Sequence, residues 1–330
     1  MPLANVIIAN WNRRDLLSEC LEGLRQQTFR DIEITLVDNG SEDGSVDLVA
    51  HNYPEVNLVP LTENLGFTGA NNVAFRLTQV GDYVALLNND AVAEPRWLEA
   101  LVGALESHLE AGFAASRMLF YDNPALIDRA GDAFTTAGVA MFRGRNEPRE
   151  RYNEMKWVFG ASAGAAIYRT AMLREIGIFD DDFFLLHEDV DLSFRAQLAG
   201  YKCLYVPEAV VFHKGSRSIA SDSETAVYYG HRNLEWTYIK NMPSRLLLRS
   251  LLQHVIYDLA AFFYFAARGH AKAFLRAKRD ALKGLKKILS KRRQIQDNKR
   301  VKDAYIWGLF EKELFSPRLK GRRARGPGRS

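Results

Sequence analysis

Two groups of oxygen-bearing side chains, far apart in the chain, are the residues best suited to chemistry. Asn88-Asn89-Asp90 follows the apolar run 83–87, and an acidic cluster with Glu188 and Asp189 follows the apolar run 183–186. Carboxylate and amide oxygens at the end of a strand suit a hard divalent cation, which could carry a diphosphate. A carboxylate of the second cluster is then available as a proton acceptor on the other side of a substrate. Together the two groups indicate transfer chemistry on a nucleotide-linked group.

The first 120 residues must supply the framework that positions these side chains, and they alternate between strand-like and helix-like patterns. Short apolar runs predict strands, and apolar residues at helical spacing behind Asp15 predict a helix. The predicted strands are 6–9, 32–37, 56–61 and 83–87. This alternation predicts an α/β fold whose mostly parallel sheet is covered on both faces and binds ligands at the carboxyl ends of its strands. The polar residues at those ends are Asn10, Asp38, Asn64 and Asp90.

With these residues in place, the chain resembles the family 2 glycosyltransferases of the GT-A fold, in particular their bacterial rhamnosyltransferase-like branch. The resemblance covers residues 4–242 and depends on the order and spacing of several motifs. The motifs are 10–12, 37–41, 64–72, 87–90, 160–164, 178–184, 187–192 and 213–218. It implies a mixed, mostly parallel sheet flanked by helices in a catalytic domain of residues 1–242. Residues 243–330 would form an amphipathic, basic helical appendage whose C-terminal end is disordered.

The resemblance also implies a nucleotide-sugar site at the carboxyl ends of the strands. In similar enzymes the aspartate that matches Asp38 binds the nucleotide base, and the loop that matches 64–72 closes over the base, ribose and sugar. The residues assigned to this site are Asn10, Asn12, Asp38, Asn64, Gly66, Asn88 and Asn89.

A divalent metal ion, Mn²⁺ or Mg²⁺, is implied in the same way. Asp90 matches the last aspartate of the family's metal-binding DXD motif, and His213 matches a histidine of the metal shell. Position 88 is Asn where the strict motif has Asp, which removes one negative charge from the site. The resemblance therefore supports the position of the metal more strongly than its affinity.

Asp189 matches the family's general base, which takes the proton from the acceptor hydroxyl during an inverting transfer. Glu188 precedes it by one residue, so on a helix the two side chains point about a hundred degrees apart and cannot share one task. We expect Asp189 to act as the base and Glu188 to bind hydroxyls of the acceptor or the sugar.

Each of these residues also has a purely structural interpretation. Asp38 and Asp43 could cap a turn or a helix, and Asn88-Asn89-Asp90 could be a plain turn. The acidic pair at 188–189 could simply favour the positive end of a helix dipole, and His213 could be an ordinary buried histidine. Because independent turns have no reason to occur in this order of roles, we favour the functional interpretation.

The composition is that of a folded protein with one main domain. The chain has 330 residues, of which 47% are hydrophobic and 25% charged. Cys20 and Cys203 lie in apolar segments, so we expect buried thiols and no disulfide. The first strand begins close to residue 1, and we expect a cytoplasmic protein without a secretory signal.

Positive charge is concentrated at the C-terminal end. Residues 271–330 contain 20 Lys and Arg against 5 Asp and Glu, whereas residues 1–270 contain 24 against 35. A basic tail beside an acidic body predicts an anionic surface as a partner, either a membrane or a nucleic acid.

The segment before the basic tail favours the membrane. Its longest uncharged run, 259–267, is shorter than the roughly 20 apolar residues that span a bilayer. The basic segment 268–293 has the pattern of a helix lying in a membrane interface. We therefore expect a peripheral protein on the cytoplasmic face of the membrane, with no nucleic-acid partner. The alternative is a helical hairpin packed on the catalytic domain or on a second copy of the chain.

The sequence also allows predictions for residues 120–156 and for Arg232 and Asn233. Residues 120–156 are polar and are predicted to form a mobile loop over the acceptor side. Arg232 and Asn233 follow the acidic cluster, and Arg232 could contact a phosphate or form a structural ion pair.

We thus predict an inverting glycosyltransferase that moves a sugar, rhamnose by preference, from a nucleotide-diphosphate donor to a hydroxyl of a glycan or lipid-linked acceptor in cell-surface polysaccharide synthesis. The branch resemblance favours deoxythymidine-diphosphate-rhamnose, with uridine-diphosphate sugars next. A dinucleotide-dependent oxidoreductase would need Gly-x-Gly-x-x-Gly where Asn10-Trp11-Asn12 stands. A nucleotidyltransferase would need a Gly- and Lys-rich phosphate loop, which the sequence lacks. A non-catalytic protein that binds nucleic acid through the basic tail is a third competing function.

Overall fold

The computed structural model describes residues 3–77, 81–215 and 223–312. The strands in these ranges are β1 (Ala4–Asn10), β2 (Ile32–Asp38), β3 (Asn57–Pro60), β4 (Tyr83–Leu87), β5 (Ala91–Ala93), β6 (Ala111–Phe120), β7 (Ile127–Ala130), β8 (Asp132–Phe134), β9 (Ala140–Phe142), β10 (Lys156–Val158), β11 (Ala165–Arg169) and β12 (Lys202–His213). The α-helices are α1 (Arg14–Arg25), α2 (Ser45–Asn52), α3 (Gly66–Leu77), α4 (Trp97–Ser107), α5 (Thr170–Ile176), α6 (Glu188–Leu198), α7 (Glu224–Asn241), α8 (Ser244–Ala266), α9 (Ala271–Lys283), α10 (Leu285–Asp297) and α11 (Asp303–Leu309).

One ten-stranded sheet organises the catalytic part of the chain. Its order is β10-β12-β6-β11-β4-β1-β2-β3, with β5 paired to β12 and β7 paired to β6. The strands β3, β2, β1 and β4 are parallel, β11 is antiparallel to both of its neighbours, and β6 and β12 are parallel. The predicted mixed, mostly parallel sheet flanked by helices is therefore confirmed.

Parallel register brings the predicted site residues to one edge of this sheet. Asn10 and Asp38, the last residues of β1 and β2, are register partners. On the other side of β1, Ile7 pairs with Leu86 near the end of β4, so Asn88-Asn89-Asp90 emerges beside Asn10. Apolar runs form these strands because both of their faces are covered by helices.

The two faces of the sheet form two apolar clusters. One contains Leu17 and Cys20 of α1 with Trp97 of α4, and the other contains Ala70 of α3 with Cys203. Both cysteines are buried free thiols, as predicted from their apolar surroundings.

Residues 120–156 are ordered in the structure, which corrects the prediction of a mobile loop. They contain β7, β8, β9, a 3₁₀ turn at Arg149–Tyr152 and the start of β10. Strands β8 and β9 form a hairpin in which Asp132 pairs with Phe142. Strands of three or four residues are too short for the alternation of apolar and polar residues to reveal them.

The C-terminal helices pack on the catalytic part of the chain. Trp236 of α7 packs with Ala281 and Ile288 of α9 and α10, and Phe310, which follows α11, shares a core cluster with Phe134. The sequence boundary at residue 242 therefore does not separate two folding units. Helices α9 and α10 pack as the alternative interpretation of the sequence proposed, as a helical hairpin on the catalytic domain. The predicted disordered end, residues 321–330, lies outside the described residues.

Helix α8 packs through one face and exposes the other. Its inner face buries Leu246, Ser250, His254 and Ala261. Its outer face, which we name the α8 stripe, consists of Leu248, Leu251, Leu252, Val255, Ile256, Leu259 and Phe263, each between 42% and 73% exposed. By length and composition α8 is the one described helix that could cross a membrane.

Candidate active site

A chain of hydrogen bonds joins three of the predicted donor-site residues. Nδ2 of Asn89 donates to Oδ1 of Asn10 at 2.7 Å, and Nδ2 of Asn10 donates to Oδ2 of Asp38 at 3.0 Å. Oδ1 of Asp38 accepts from the backbone N–H of Ser41 at 2.8 Å. All three side chains are buried. The structure therefore brings these residues together, and binding of the base by Asp38 stays a prediction.

The loop after β1 is fixed to the loop after β2. Asn12 has a left-handed backbone with φ 50°. Its N–H donates to Oγ of Ser41 at 2.9 Å, and its Oδ1 accepts from the N–H of Glu42 at 2.8 Å. Asp43 has the structural role considered for it from the sequence, in the turn that starts a helix. Its Oδ1 accepts a hydrogen bond from the N–H of Ser45 at the start of α2.

Asn64 and Gly66 form the turn that starts α3. Oδ1 of Asn64 accepts from Nδ2 of Asn39 at 2.9 Å and from the N–H of Gly66 at 2.8 Å. Gly66 has φ +74°, and a Cβ at this position would lie 2.5 Å from the backbone oxygen of Phe184. Only glycine fits both conditions. The loop at 64–72 therefore contacts the segment that leads to the second acidic cluster.

Asp90, His213 and Asp128 form the predicted metal corner together with one residue that we did not predict. Nε2 of His213 lies 3.2 Å from Oδ1 of Asp90, and Nδ1 of His213 lies 2.7 Å from Oδ2 of Asp128. All three side chains are buried. The guanidinium of Arg145 contacts the other oxygen of Asp128. The segment that continues from His213, Ser216-Arg217-Ser218 of the 213–218 motif, lies outside the described residues.

The charges of this corner support one another. Burial alone would lower the pKa of His213, but hydrogen bonding to Asp128 and Asp90 raises it to about 9. Burial alone would raise the pKa values of Asp90 and Asp128, but the same imidazole lowers both. Without a metal, the corner therefore holds an imidazolium between two carboxylates.

The residues of this corner fit a divalent metal. Oδ1 of Asp90 is buried and lacks a well-aligned hydrogen bond among the described residues, although Nε2 of His213 lies 3.2 Å away. Asp128 holds Nδ1 of His213, so a neutral ring presents Nε2 on the side of Asp90, the arrangement usual for a metal-bound histidine. Asp90 and His213 would hold the ion, and Asp128 would orient the histidine.

The second acidic cluster starts α6, as predicted. Oδ1 of Asp189 accepts from the N–H of Val190 at 2.8 Å, and Oδ2 accepts from the N–H of Ala163 at 3.3 Å. Asp189 is half-buried, whereas Glu188 is buried and its Oε2 has no partner among the described residues. Burial and the neighbouring Asp189 raise the pKa of Glu188 well above its usual value. A raised pKa favours the protonated form of the carboxyl, in which it cannot accept a proton.

The segment Ser162-Ala163-Gly164 joins three parts of the site. Oγ of Ser162 accepts from Nη1 of Arg129 at 2.5 Å, and the N–H of Ala163 contacts Asp189. The carbonyl of Gly164 accepts from the N–H of Asn88 at 2.9 Å. A basic side chain, the predicted base and the predicted metal-binding motif therefore border the same space.

Sequence reasoning missed Asp128, Arg129 and Asp132, because all three lie in the segment interpreted as a loop. The guanidinium of Arg129 stacks on the ring of Phe142 at 3.9 Å. Asp132 is 3% exposed, and neither of its oxygens has a partner among the described residues. Burial, and next the charge of Asp189, raise the pKa of Asp132 to about 8. The alternation of Asp128 and Asp132 with apolar residues was the only signal in the sequence, and it covers too few positions to stand out.

Asp191 lies close to the base in sequence but has a structural role. Its carboxylate is fully buried between Nζ of Lys240 at 2.8 Å and Nε of Arg195 at 2.9 Å. Burial alone would raise the pKa of Asp191, but these two cations lower it. Asp191 is therefore an ionised structural group that ties α6 to α7.

The sequence and the fold both have known relatives. The sequence profile of glycosyl transferase family 2 matches residues 5–177. An N-acetylglucosaminyl-diphospho-decaprenol L-rhamnosyltransferase of Mycobacterium tuberculosis is 27% identical over 268 residues, which cover 71% of this chain and 82% of the relative. An O-antigen chain rhamnosyltransferase of Salmonella typhimurium is 26% identical over 211 residues, which cover 63% of this chain and 65% of the relative.

Solved structures share the fold at low identity. GalNAc-T7, solved with UDP, GalNAc and Mn²⁺, superposes with a TM-score of 0.60 at 16% identity over 73% of this chain. This chain spans about half of that protein, 48% of its length. A mannosyltransferase of Pyrobaculum calidifontis in complex with GDP-Man and Mn²⁺ superposes with a TM-score of 0.54 at 20% identity, over 92% of this chain and 85% of that one.

Proposed function

Because this chain belongs to glycosyltransferase family 2, we propose that it is an inverting rhamnosyltransferase that modifies a lipid-linked glycan in cell-surface polysaccharide synthesis. Two relatives named as rhamnosyltransferases support the choice of rhamnose. The name of the mycobacterial relative supports an acceptor sugar held on a lipid diphosphate. Deoxythymidine-diphosphate-rhamnose is the first choice of donor, with uridine-diphosphate sugars next.

The observation that carries this proposal is the convergence of Arg129, Asp189 and Asn88 on the segment 162–164. In an inverting transfer the acceptor oxygen forms a bond to the anomeric carbon as the bond from that carbon to the diphosphate breaks. Asp189 takes the hydroxyl proton on one side of the sugar. Charge that develops on the departing diphosphate is stabilised on the other side.

A divalent ion, Mn²⁺ or Mg²⁺, would supply much of that stabilisation as a Lewis acid when bound. Asp90 and His213 are the residues that would hold it, and Asn88 leaves the site with one carboxylate fewer than the strict motif. The guanidinium of Arg129 lies close enough to lower the pKa of Asp90 through its charge. We therefore assign Arg129 to the diphosphate as a second positive group.

Glu188 and Asp189 have different roles in this proposal. The raised pKa of Glu188 favours its protonated form, which would donate a hydrogen bond to a sugar hydroxyl. Asp189 is the more exposed of the pair, because Glu188 is buried. A general base must contact the acceptor hydroxyl, so the greater exposure of Asp189 supports its assignment as the base.

The α8 stripe supports a peripheral place on the cytoplasmic face of the membrane. A row of seven exposed apolar residues on one helix is larger than soluble monomers usually tolerate. Positive charge follows it, since residues 271–330 contain 20 Lys and Arg against 5 Asp and Glu. An apolar helix face next to basic residues matches an anionic lipid surface.

The inner face of α8 favours a helix that lies in the interface over one that crosses the bilayer. Nδ1 of His254 donates to the carbonyl of Ala137 at 2.8 Å, and Asp258 pairs with Nζ of Lys278 at 2.6 Å. These polar contacts lie at the middle of the helix and just beyond it. A crossing helix would carry them into hydrocarbon, where buried charges are expensive.

The other partners receive less support. Lys287 and Lys291 of the basic region are paired with Asp182, which leaves less free charge for a nucleic acid than the sequence predicted. The α8 stripe could also pair with a second copy of the chain. The liposome and sedimentation experiments described in the Discussion distinguish the two.

A donor screen followed by a transfer assay tests the proposal. The 330-residue chain with Mn²⁺ or Mg²⁺ would be heated with deoxythymidine-diphosphate-rhamnose, uridine-diphosphate sugars and GDP-mannose. A donor at a hundred times its Kd should stabilise the fold by about 2.7 kcal/mol. The best donor would then be incubated with N-acetylglucosamine on a lipid diphosphate, and the product mass measured. Transfer of a different sugar would overturn only the choice of rhamnose. No stabilisation and no transfer with any donor would overturn the activity.

A further inference from the structure

The residues just before α6 adopt a backbone that non-glycine residues rarely adopt. Phe184, Leu186 and His187 have φ values of 64°, 65° and 69°. The N–H of Leu185 donates to the carbonyl of Phe183 at 2.7 Å, which closes a tight three-residue turn. We name residues 183–187 the base turn, because Asp189, the proposed base, lies two residues beyond it. Strained backbone of this kind persists only where the surroundings hold it, and it is concentrated at functional sites.

Asn233 of α7 holds the base turn from behind. Its side chain is fully buried. Nδ2 of Asn233 lies within hydrogen-bond distance of three carbonyls, those of Phe183 at 3.0 Å, Leu185 at 2.8 Å and Leu186 at 2.8 Å. The two N–H groups of the Asn233 amide thus contact three backbone carbonyls. These carbonyls would point in other directions if the turn relaxed.

Arg232 completes this support. Its Nη2 donates to the carbonyls of Asp182 at 2.8 Å and Phe183 at 3.0 Å, and its Nε donates to Oδ1 of Asn233 at 2.9 Å. The guanidinium stacks on the ring of Trp236 at 4.3 Å. These contacts direct Nη2 and Nε of Arg232 at two backbone carbonyls and at Asn233, and the described residues give Arg232 no ion pair, whereas phosphate binding stays a prediction.

The base turn contacts the base on one side and the donor loop on the other. The carbonyl of His187 accepts from the N–H of Asp191 at 2.9 Å in the first turn of α6, which orients Asp189. The carbonyl of Phe184 accepts from the N–H of Thr68 at 3.2 Å in the first turn of α3. One short segment therefore sets the position of Asp189 relative to the loop at 64–72.

We propose that Asn233 is a positioning residue of the transfer reaction, which keeps the base turn in its strained form and so holds Asp189 against the donor. This inference rests on the proposed function, in which Asp189 is the base. Loss of Asn233 leaves the turn carbonyls without donors, and the turn then relaxes toward negative φ. Asp189 moves with it, whereas the Asn10–Asp38 pair makes no hydrogen bond to the turn among the described residues. Turnover should therefore fall while donor affinity changes little.

Three variants of the full chain test this inference, measured at a temperature where circular dichroism shows them folded. Asn233→Ala should lower kcat at least tenfold, with the Kd for donor nucleotide changed no more than about threefold. Thr237→Val is the control, since Thr237 is buried one turn further along α7 and its hydroxyl has no partner among the described residues. It should keep a normal kcat. Adding Leu186→Gly to Asn233→Ala should restore part of the lost kcat, because glycine adopts positive φ freely.

That rescue is a result that a general loss of packing would not produce. A kcat of Asn233→Ala within twofold of wild type overturns the inference, as does an equal loss in Thr237→Val or the absence of rescue. If Asn233→Ala does not fold, Asn233→Ser, which retains one donor, takes its place under the same criteria. A normal Asn233→Ala beside an inactive Asp189→Asn overturns this inference alone. Normal turnover of Asp189→Asn removes the base assignment and this inference with it.

Discussion

Nδ1 of His213 lies 2.7 Å from Oδ2 of Asp128, and this contact decides which ring nitrogen faces Asp90. The carboxylate accepts the Nδ1 proton, so a neutral His213 presents the lone pair of Nε2 to the metal corner. The two residues come from β7 and β12, which are both paired to β6. The sheet therefore sets the tautomer of a predicted metal ligand.

Asp128→Asn should weaken metal binding without abolishing it. The amide can present an N–H to Nδ1 and reverse the tautomer, and loss of such an outer partner usually costs about 10–100-fold in metal affinity. Titration of Mn²⁺ in the presence of donor, followed by thermal shift, measures the change. Asp122→Asn, an exposed carboxylate on the loop before β7, is the control. Unchanged affinity in Asp128→Asn would remove the orienting role.

Asp90→Ala should abolish metal-dependent donor binding, and His213→Ala should weaken it. Both residues are assigned to the ion that neutralises the diphosphate, and Asp90 is the only carboxylate of its motif. Donor binding with and without Mn²⁺ is the measurement. Full activity in EDTA would contradict the metal site and would leave Arg129 as the positive group at the diphosphate.

Asp189→Asn and Glu188→Gln should differ strongly although they change neighbouring residues. Asp189→Asn removes the proton acceptor, so kcat should fall by about 10² to 10⁴ with donor Kd nearly unchanged. Burial, and next the charge of Asp189, raise the pKa of Glu188 and favour its neutral form, so Glu188→Gln would replace one neutral donor by another and should cost less than about tenfold in kcat. Steady-state kinetics at saturating donor measures both. The opposite order would exchange the two assignments.

Asp132→Asn should stabilise the protein, and more so as the pH rises. Burial, and then Asp189, raise the folded pKa of Asp132 to about 8, whereas an unfolded Asp ionises near about pH 3.9. Between these values the folded state keeps a proton that the unfolded state has released, so the contribution of Asp132 to stability is lost as the pH rises toward 8. The neutral amide removes this loss.

Urea unfolding of Asp132→Asn and wild type from about pH 5 to about pH 8 measures the effect. The difference in free energy of unfolding should grow in favour of the variant, with a limiting slope of about 1.4 kcal/mol per pH unit for one proton. A difference that does not change with pH would mean that Asp132 is ionised in the folded protein.

Leu252→Gln with Leu259→Gln should release the protein from anionic liposomes. Both residues belong to the α8 stripe, and each loses its apolar contact with lipid. Leu109→Gln is the matched control, because Leu109 is 82% exposed outside the stripe. Activity on a soluble acceptor should persist in the double variant. Analytical ultracentrifugation tests the alternative. A wild-type dimer that becomes a monomer in the double variant would assign the α8 stripe to contact with a second copy of the chain.

Much of the donor side could be predicted because long apolar runs make its strands. Strand β4 begins and ends at Tyr83 and Leu87, as the apolar run does. Asn10 and Asp38 are adjacent because each ends a parallel strand, a relation that the strand order alone implies. Their hydrogen bond could not be foreseen, since it depends on the exact register.

The part of the site that residues 120–156 contribute was less predictable for physical reasons. Asp128 and Asp132 lie in strands of four and three residues, too short for a periodic pattern. Phe310 packs on Phe134 from the far end of the chain, and no local pattern reports such a contact. The basic charge at 271–330 was visible, but Lys291 is paired with Asp180 and Asp182, and composition cannot tell a paired cation from a free one.

The β8–β9 hairpin sets a limit on the length of the acceptor. Asp132 at its base lies within reach of the charge of Asp189, and Ala137 at its tip accepts a hydrogen bond from His254 on the inner face of α8. About six residues of extended chain separate these points by no more than about 20 Å. An enzyme that rests on the bilayer through α8 would hold its reactive centre within this distance of the helix. Such a reactive centre would reach the first sugars after a lipid diphosphate but would not reach the distant end of a long polymer.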